Sequence, residues 1–175
     1  MYSAIQNAKA TALLNDFQEV GKAWEQYYLD TGQNLPRYTE DDSSPSFYVL
    51  MGNNLTTNVA GVDGWNGPYI NYETTDQYLF HPQYLRFTII VVTNEEIWGG
   101  VNGGWSDKGR CISGKRCFIA VRLDGVSSTS LVEKLDSKVD GGDGAEKGHL
   151  RWVHGDDAAQ NRVSLLYMPI KNPND

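Results

Sequence analysis

The sequence has no apolar run that approaches the roughly 18 residues needed to cross a membrane. It also lacks the basic residues followed by an apolar stretch that mark a secretory signal peptide. Basic residues are in the minority: 15 lysines and arginines face 22 aspartates and glutamates, and the formal net charge is -7. Because an acidic chain gains no free energy from counterion release at a phosphate backbone, we expect no nucleic-acid partner.

Sequence motifs for catalysis and phosphate binding are missing as well. There is no G-x-S-x-G nucleophile elbow. The glycine-rich stretch EEIWGGVNGGWSDKG has neither the G-x-G-x-x-G order nor a terminal G-K-[ST], so phosphate binding there is disfavoured. Adjacent acidic pairs such as Glu95/Glu96 stand in loop-like sequence and are more typical of solvated carboxylates than of acid–base partners. We therefore predict that the protein is not an enzyme.

Cysteine is scarce, with Cys111 and Cys117 in the stretch RCISGKRC. Ser113, Gly114 and Lys115 between them favour a tight turn, and facing positions of a hairpin bring two β-carbons close to disulfide distance. A zinc site would need a second pair of ligands, which this spacing does not supply. We predict a Cys111–Cys117 disulfide, which is typical of proteins outside the reducing cytoplasm.

At 175 residues, with 40% hydrophobic and 21% charged content, the chain is typical of a folded protein with one core. We predict a single α+β domain over residues 1–175, in which a long amphipathic helix (1–31) packs on an antiparallel sheet. Its expected buried face follows steps of three and four residues: Ile5, Ala8, Ala12, Leu13, Phe17, Val20, Trp24, Tyr27 and Tyr28. The helical pattern is under way at residue 2 with no capping residue before it, which suggests a chain cut from something longer.

Residues 32–84 read as a polar connecting region, with a short helical turn near Phe47–Met51. Residues 85–175 are predicted to supply the sheet and a short capped helix within 125–139. The expected strands are β-branched and aromatic runs bounded by turn residues: Leu85–Thr93, Cys117–Leu123, Leu150–His154 and Val163–Met168.

Two groups of aromatic residues could form a binding site for a ligand or a partner. Trp24, Tyr27 and Tyr28 have helical spacing, which is more typical of a core face than of a ligand platform. Trp98 and Trp105 lie in the glycine-rich loop instead. A tryptophan exposed on a loop is costly unless it meets a partner or folds back, so we predict this loop as a candidate contact surface.

The stretch LDSKVDGGDGAEKGHLRW crowds three aspartates among glycines. Asp136 stands one helical turn before Asp140, and Asp143 follows after two glycines that allow backbone carbonyls to point inward. Carboxylates and freed carbonyls are ligands that calcium prefers, although the spacing is not that of an EF-hand. The alternative is that the aspartates simply accept hydrogen bonds from turn amides.

Three stretches together resemble the type IV pilin-like proteins, including the pseudopilins of type II secretion. The first is AKATALLNDFQEVGKAWEQYYLDTGQNLP, which is similar to the second half of the long pilin helix and its exit. The second is GWNGPYI, similar to the Trp-x-Gly-Pro-Tyr segment of major pseudopilins. The third is VSSTSLVEKLDSKVDGGDGAEKGHLRW, which resembles the D-x-x-x-D-[DG]-G pattern of minor pilins and pseudopilins.

The sequence also departs from that family. The apolar first half of the helix and the glutamate used in assembly are absent, and NYETTDQYLFHPQYLRF follows GWNGPYI in place of a D-P-W-G-like turn. Whether the chain corresponds to a major or a minor subunit therefore stays open. We expect that the membrane-inserted half of the helix precedes this chain in the full-length protein.

The resemblance implies a structural subunit of a pilus or pseudopilus that supports secretion or pilus function. Its expected partners are other pilin or pseudopilin subunits and the inner membrane, and its expected location is the periplasm or cell surface. Major pseudopilins bind calcium in a C-terminal loop, so the resemblance also favours calcium at Asp136, Asp140 and Asp143. The alternative function is a secreted calcium-dependent adhesin or carbohydrate-binding module that uses Trp98 and Trp105.

Overall fold

A computed structural model describes residues 2–44, 48–100, 108–155 and 157–175. The helices and strands are α1 (Tyr2–Thr31), β1 (Thr74–Thr75), β2 (Tyr78–Phe80), β3 (Arg86–Thr93), β4 (Cys117–Asp124), α2 (Thr129–Asp140), β5 (Leu150–Val153) and β6 (Arg162–Ile170). Within these ranges the strands form one antiparallel sheet in the order β1-β2-β3-β4-β6-β5. The predicted α+β class is confirmed. None of the described helices has the length and apolar character of a membrane span.

One face of α1 is buried from its third turn onward. The buried hydrophobic side chains of the helix are Ala10, Leu13, Phe17, Val20, Ala23, Trp24 and Tyr27. The predicted face was wrong at Ile5, Ala8, Ala12 and Tyr28, which are exposed. At the start of α1 the Tyr2 hydroxyl lies 3.2 Å from that of Ser130, so these first turns lie beside the polar start of α2 and bury little apolar surface.

The central strands are covered on both faces. Phe87, Ile89, Val121 and Leu123 pack into the cluster that contains α1 and α2. Alternate residues on the other face form a smaller cluster: Val49, Ile90, Val92, Trp98, Ala120 and Leu166. Burial on both faces explains why β3 and β4 are almost continuously apolar. Gly21 lies where α1 meets β6, and a β-carbon there would overlap the Tyr167 ring, so only glycine allows this close approach.

The structure contains the predicted disulfide. Cys111 and Cys117 are bonded, with 5.6 Å between their α-carbons. Cys117 begins β4, and both cysteines are buried. The C-terminal segment packs on the loop that the disulfide closes, because the Asn172 amide donates to the carbonyl oxygens of Ile112 (2.8 Å) and Lys115 (2.9 Å).

The connecting region is more ordered than its polar composition indicates. It contains the β1–β2 hairpin, which the sequence did not reveal because strands of two and three residues are too short to establish a period. Tyr48, within the predicted helical turn, is in 3-10 conformation, and a short 3-10 helix follows at Gly52–Leu55. Phe47, where that prediction began, lies outside the described residues. The four predicted strands are confirmed, with ends that differ by one or two residues.

A buried histidine joins this region to α1. The side chain of His81 is 2% exposed, and its Nε2 lies 2.8 Å from Oδ2 of Asp16. Nδ1 of the same ring accepts hydrogen bonds from the backbone N–H groups of Gln83 (3.0 Å) and Tyr84 (3.2 Å). Because Nδ1 is an acceptor, Nε2 carries the proton and donates a hydrogen bond to Asp16. The ring therefore fixes the loop before β3 against the helix.

Replacing Asp16 by alanine is expected to lower the free energy of unfolding by about 1–3 kcal/mol, because the buried Nε2–H loses its acceptor. Urea denaturation followed by far-ultraviolet circular dichroism measures the change. The matched variant Glu19→Ala removes an exposed carboxylate from the same helix and is expected to change stability by less than about 0.5 kcal/mol. Equal losses in the two variants would show that the His81–Asp16 contact contributes nothing specific.

Candidate metal centre

The second helix places two of the three predicted aspartates on one side. It begins at the cap Ser128, whose side chain accepts a hydrogen bond from the N–H of Leu131, and ends before Gly141 in the left-handed conformation at φ 69°. Asp136 and Asp140 are four residues apart and therefore lie on the same face of α2. The turn that follows leads into β5.

Asp140 joins the end of α2 to the start of β5. Its Oδ1 accepts a hydrogen bond from the N–H of His149 (3.0 Å), and its Oδ2 accepts one from the N–H of Leu150 (2.6 Å). A carboxylate in the last turn of a helix opposes the helix dipole, and these two donors offset that cost. Gly148 has φ 71°, and a β-carbon there would lie 2.6 Å from Cγ of Asp140 and 2.5 Å from Oδ2 of Asp143. The turn therefore requires glycine at this position.

Asp136 is the buried member of the group, with 3% of its surface exposed. Its Oδ2 accepts a hydrogen bond from the N–H of Gly144 at 2.9 Å. Its Oδ1 is buried and has no hydrogen-bond partner. Burial raises the pKa of Asp136, and the negative charges of Asp143 and Asp140 raise it further, while the Gly144 N–H opposes the change. The chain thus leaves a buried carboxylate oxygen without a donor.

The three carboxylates converge on one point. One oxygen from each of Asp136, Asp140 and Asp143 lies within 4.8 Å of the others. All three donors are hard oxygens, which suit calcium or magnesium better than a metal that prefers sulfur or imidazole. The unpartnered Oδ1 of Asp136 and the exposed carboxylate of Asp143 are free to act as ligands. The three carboxylates therefore suit a hard cation such as calcium.

Arg151, which sequence reasoning missed, lies beside the acidic group. Its guanidinium donates to the carbonyl oxygens of Gly148 (3.1 Å), Glu96 (2.7 Å) and Asn94 (3.3 Å). Burial lowers the pKa of Arg151, whereas Asp143 and Asp140 oppose that shift. Arg151 therefore compensates part of the negative charge and also ties the turn to the loop after β3. A cationic residue shortly after a run of aspartates was the signal available in the sequence.

Trp98 of the predicted contact loop is not exposed. Trp98 is only 4% exposed, its Nε1–H donates to the Thr93 carbonyl oxygen at 2.8 Å, and Arg151 stacks over its ring at 4.7 Å. The side chain folds back because Ile90 and Val92 offer it an apolar surface. Trp105, the other residue of that prediction, lies outside the described residues.

The whole chain was compared with protein-family models, with curated proteins and with solved structures, and none of the three comparisons finds a match. The resemblance to pilin-like proteins therefore depends on the three sequence stretches alone. The acidic turn holds α2 to β5 through the two hydrogen bonds of Asp140, and its three carboxylates could hold a metal ion.

The raised pKa of Asp136 predicts a pH dependence in chelating buffer. The folded state binds this proton more tightly than the unfolded chain, so the stabilisation is complete below about pH 3.9. It is lost as the pH rises from there through the raised folded-state pKa. Asp136→Asn is expected to remove this decline. Urea unfolding at several pH values measures it, and identical pH slopes for wild type and variant would contradict the assignment.

Proposed function

We propose that this chain is a non-enzymatic structural subunit of a pilus-like fibre, of the kind found in type II secretion pseudopili and type IV pili. It acts by packing: a helix continuous with α1 anchors the subunit in the inner membrane and forms the fibre core. The sheet and loops, in the periplasm or at the cell surface, set the contacts with other subunits. The observation that carries this proposal is that GWNGPYI contacts the C-terminal end of α1. Both segments belong to the stretches that resemble pilin-like proteins.

Three contacts join GWNGPYI to the end of α1. The hydroxyl of Tyr69 donates to Oδ2 of Asp30 at 3.0 Å, near the last turn of α1. The rings of Tyr69 and Tyr27 meet edge to face with centroids 6.0 Å apart. A β-carbon at Gly64 would overlap the carbonyl oxygen of Asp30, so the segment runs directly along the backbone of the helix end. The segment therefore fixes the C-terminal end of α1 to the rest of the domain.

Exposed apolar side chains at the two ends of α1 are available for contact with further subunits in this proposal. Tyr2 and Ile5, in the first turns, are 67% and 47% exposed, and Tyr28 and Leu29, near the end of the helix, are 45% and 70% exposed. The disulfide agrees with an oxidising compartment such as the periplasm.

Calcium has a structural role in this proposal. Bound by Asp136, Asp140 and Asp143, it neutralises the carboxylates that crowd the turn between α2 and β5. Asp140 already positions β5 through two backbone hydrogen bonds, and the cation adds rigidity to the same connection. The alternative, a calcium-dependent adhesin or carbohydrate-binding module, relied on exposed Trp98, and the burial of that residue removes one of its two proposed ligand contacts.

The fibre proposal predicts what the gene encodes and how the product assembles. Upstream of Met1 we expect about 20 consecutive apolar residues with a glutamate near their start. In membranes that contain the full-length protein, Ile5→Cys combined with Leu29→Cys is expected to yield a ladder of oligomers with a short thiol-specific crosslinker. Denaturing gel electrophoresis reports the ladder.

The matched control is Ile5→Cys combined with Val59→Cys, because Val59 is 59% exposed but lies outside α1. This pair is expected to yield fewer crosslinked oligomers. A cleavable signal peptide with no apolar helix, or monomers alone with the first pair, would refute the fibre proposal.

The calcium role predicts a metal-dependent melting temperature. Calcium is expected to raise Tm by about 2–4 °C for each kcal/mol of binding free energy. Asp143→Asn and Asp140→Ala are expected to abolish the rise, and Asp140→Ala also lowers Tm in chelator because His149 and Leu150 lose their acceptor. The control Asp63→Asn, at an exposed loop position, keeps the rise. A wild-type Tm that is the same in calcium and in chelator would rule the metal out.

A further inference from the structure

The face of the sheet opposite α1 carries arginines around one carboxylate. Arg86, Asp124 and Arg162 lie in one row across β3, β4 and β6, because each is paired directly with the next. Arg122 precedes Asp124 by two residues on β4 and points to the same face. The Nε atoms of Arg86 and Arg122 each lie 3.2 Å from an oxygen of Asp124, and that of Arg162 lies at 3.8 Å.

One carboxylate does not neutralise three guanidinium groups. Among the described residues, Asp124 is the one acidic side chain within ion-pair distance of these arginines. Asp124 is fully buried and Arg122 is 7% exposed. The group therefore keeps an excess of two positive charges, partly buried, in a chain whose formal net charge is -7. Buried charge without a counter-charge is costly, so a negatively charged occupant would stabilise this face.

Hydrogen-bonding capacity is also left over at the same place. Oγ1 of Thr88 is buried and has no hydrogen-bond partner, and Nε of Arg122 and Oδ1 of Asp124, which lie 3.2 Å apart as an ion pair, form no aligned hydrogen bond. Thr88 lies directly opposite Arg122 in the sheet, so its hydroxyl belongs to this group. Buried polar groups in native proteins nearly always have a partner, and those that lack one call for an explanation such as a bound ion.

The group remains accessible from solvent at its two ends. The side chains of Arg86 and Arg162 are 27% and 37% exposed. The guanidinium of Arg86 lies over the ring of Tyr78 at 4.2 Å, which orients its planar fork. Nε–H of Arg162 donates to the Ala159 carbonyl oxygen at 3.1 Å, which fixes the other end. The two outer arginines are therefore held in place while part of each stays open to a ligand.

We propose that Arg86, Arg122 and Arg162 form a binding site for a small, doubly charged oxyanion. A phosphate-type ion carries about two negative charges near neutral pH, which matches the excess of positive charge. Its oxygens accept paired N–H groups from guanidinium forks, as do those of a dicarboxylate. The site lies on the face away from α1 and does not depend on the proposed fibre.

Thermal unfolding at constant ionic strength, in chelator, tests this site with inorganic phosphate as the probe and chloride as the reference. At phosphate about tenfold above Kd, the wild-type Tm is expected to rise by about 3–6 °C. Arg162→Gln and Arg86→Gln are expected to lose this rise. In ¹⁵N-labelled protein, phosphate is expected to shift the Nε–H resonance of Arg122 more than that of Arg116.

Arg116→Gln is the matched control, because it removes the same charge from a side chain that is 76% exposed and keeps the rise. Sulfate and succinate replace phosphate in two further experiments. A rise in Tm with sulfate but not with succinate identifies a tetrahedral oxyanion as the ligand, and a rise with succinate but not with sulfate identifies a dicarboxylate.

If Arg162→Gln does not fold, Arg162→Lys keeps the charge but loses the guanidinium fork, and its apparent Kd for phosphate is expected to rise several-fold. No rise in wild type with any of the three anions, or equal rises in the Arg162 variant and Arg116→Gln, would overturn the proposal.

Discussion

The packing of α1 on the central strands is the contact on which the rest of the structure depends. Phe17 of the helix meets Phe87 of β3 edge to face, with ring centroids 5.3 Å apart, and each such buried side chain contributes about 1.5–3 kcal/mol. The other face of β3 and β4 is covered too, by Val49 and Trp98 among others. Polar side chains in the centre of a sheet that is buried on both faces have little access to water, so each needs a partner within the protein.

Three acidic residues along α1 show how this constraint is met. Asp16, Glu25 and Asp30 accept hydrogen bonds from His81 (2.8 Å), Tyr167 (2.9 Å) and Tyr69 (3.0 Å). These hydrogen bonds fix the rotation of α1 about its own axis. Apolar packing alone would tolerate a wider range of rotations. Burial, and then the Glu25 carboxylate, raise the pKa of Tyr167 to about 12, so this donor stays protonated at neutral pH. The long helix is therefore held as a rigid part of the domain.

Elements with a strong local signal could be predicted from the sequence. The 30-residue α1, the capped α2 and the four longer strands all follow from periodicity, turn residues and β-branched composition. The convergence of Asp136, Asp140 and Asp143 was also foreseen, because a helical turn and two glycines already bring them together. Arg151 was missed although its place shortly after the aspartates was a signal, whereas the burial of Trp98 and the group around Asp124 could not be foreseen, since both depend on which strands lie next to each other. A sequence window carries no information about which strand lies next to which.

The aspartates of the α2–β5 turn and the arginines around Asp124 are both groups of like charges that the fold brings together with too little opposite charge. At the α2–β5 turn, Asp136 keeps a buried oxygen without a donor, and Arg151 compensates only part of the acidic charge. Across β3, β4 and β6, Thr88 keeps a buried hydroxyl without a partner, and Asp124 compensates only part of the charge of the three arginines. Arg151 and Arg122 both pair with Ser164 on β6, from either side, so the two groups share one row of the sheet. A cation bound at one group and an oxyanion at the other would thus stiffen adjoining parts of the same strands. Stability would then depend on which ions are present and not only on ionic strength, because buried charges such as those of Asp136 and Arg122 are screened much less than exposed ones.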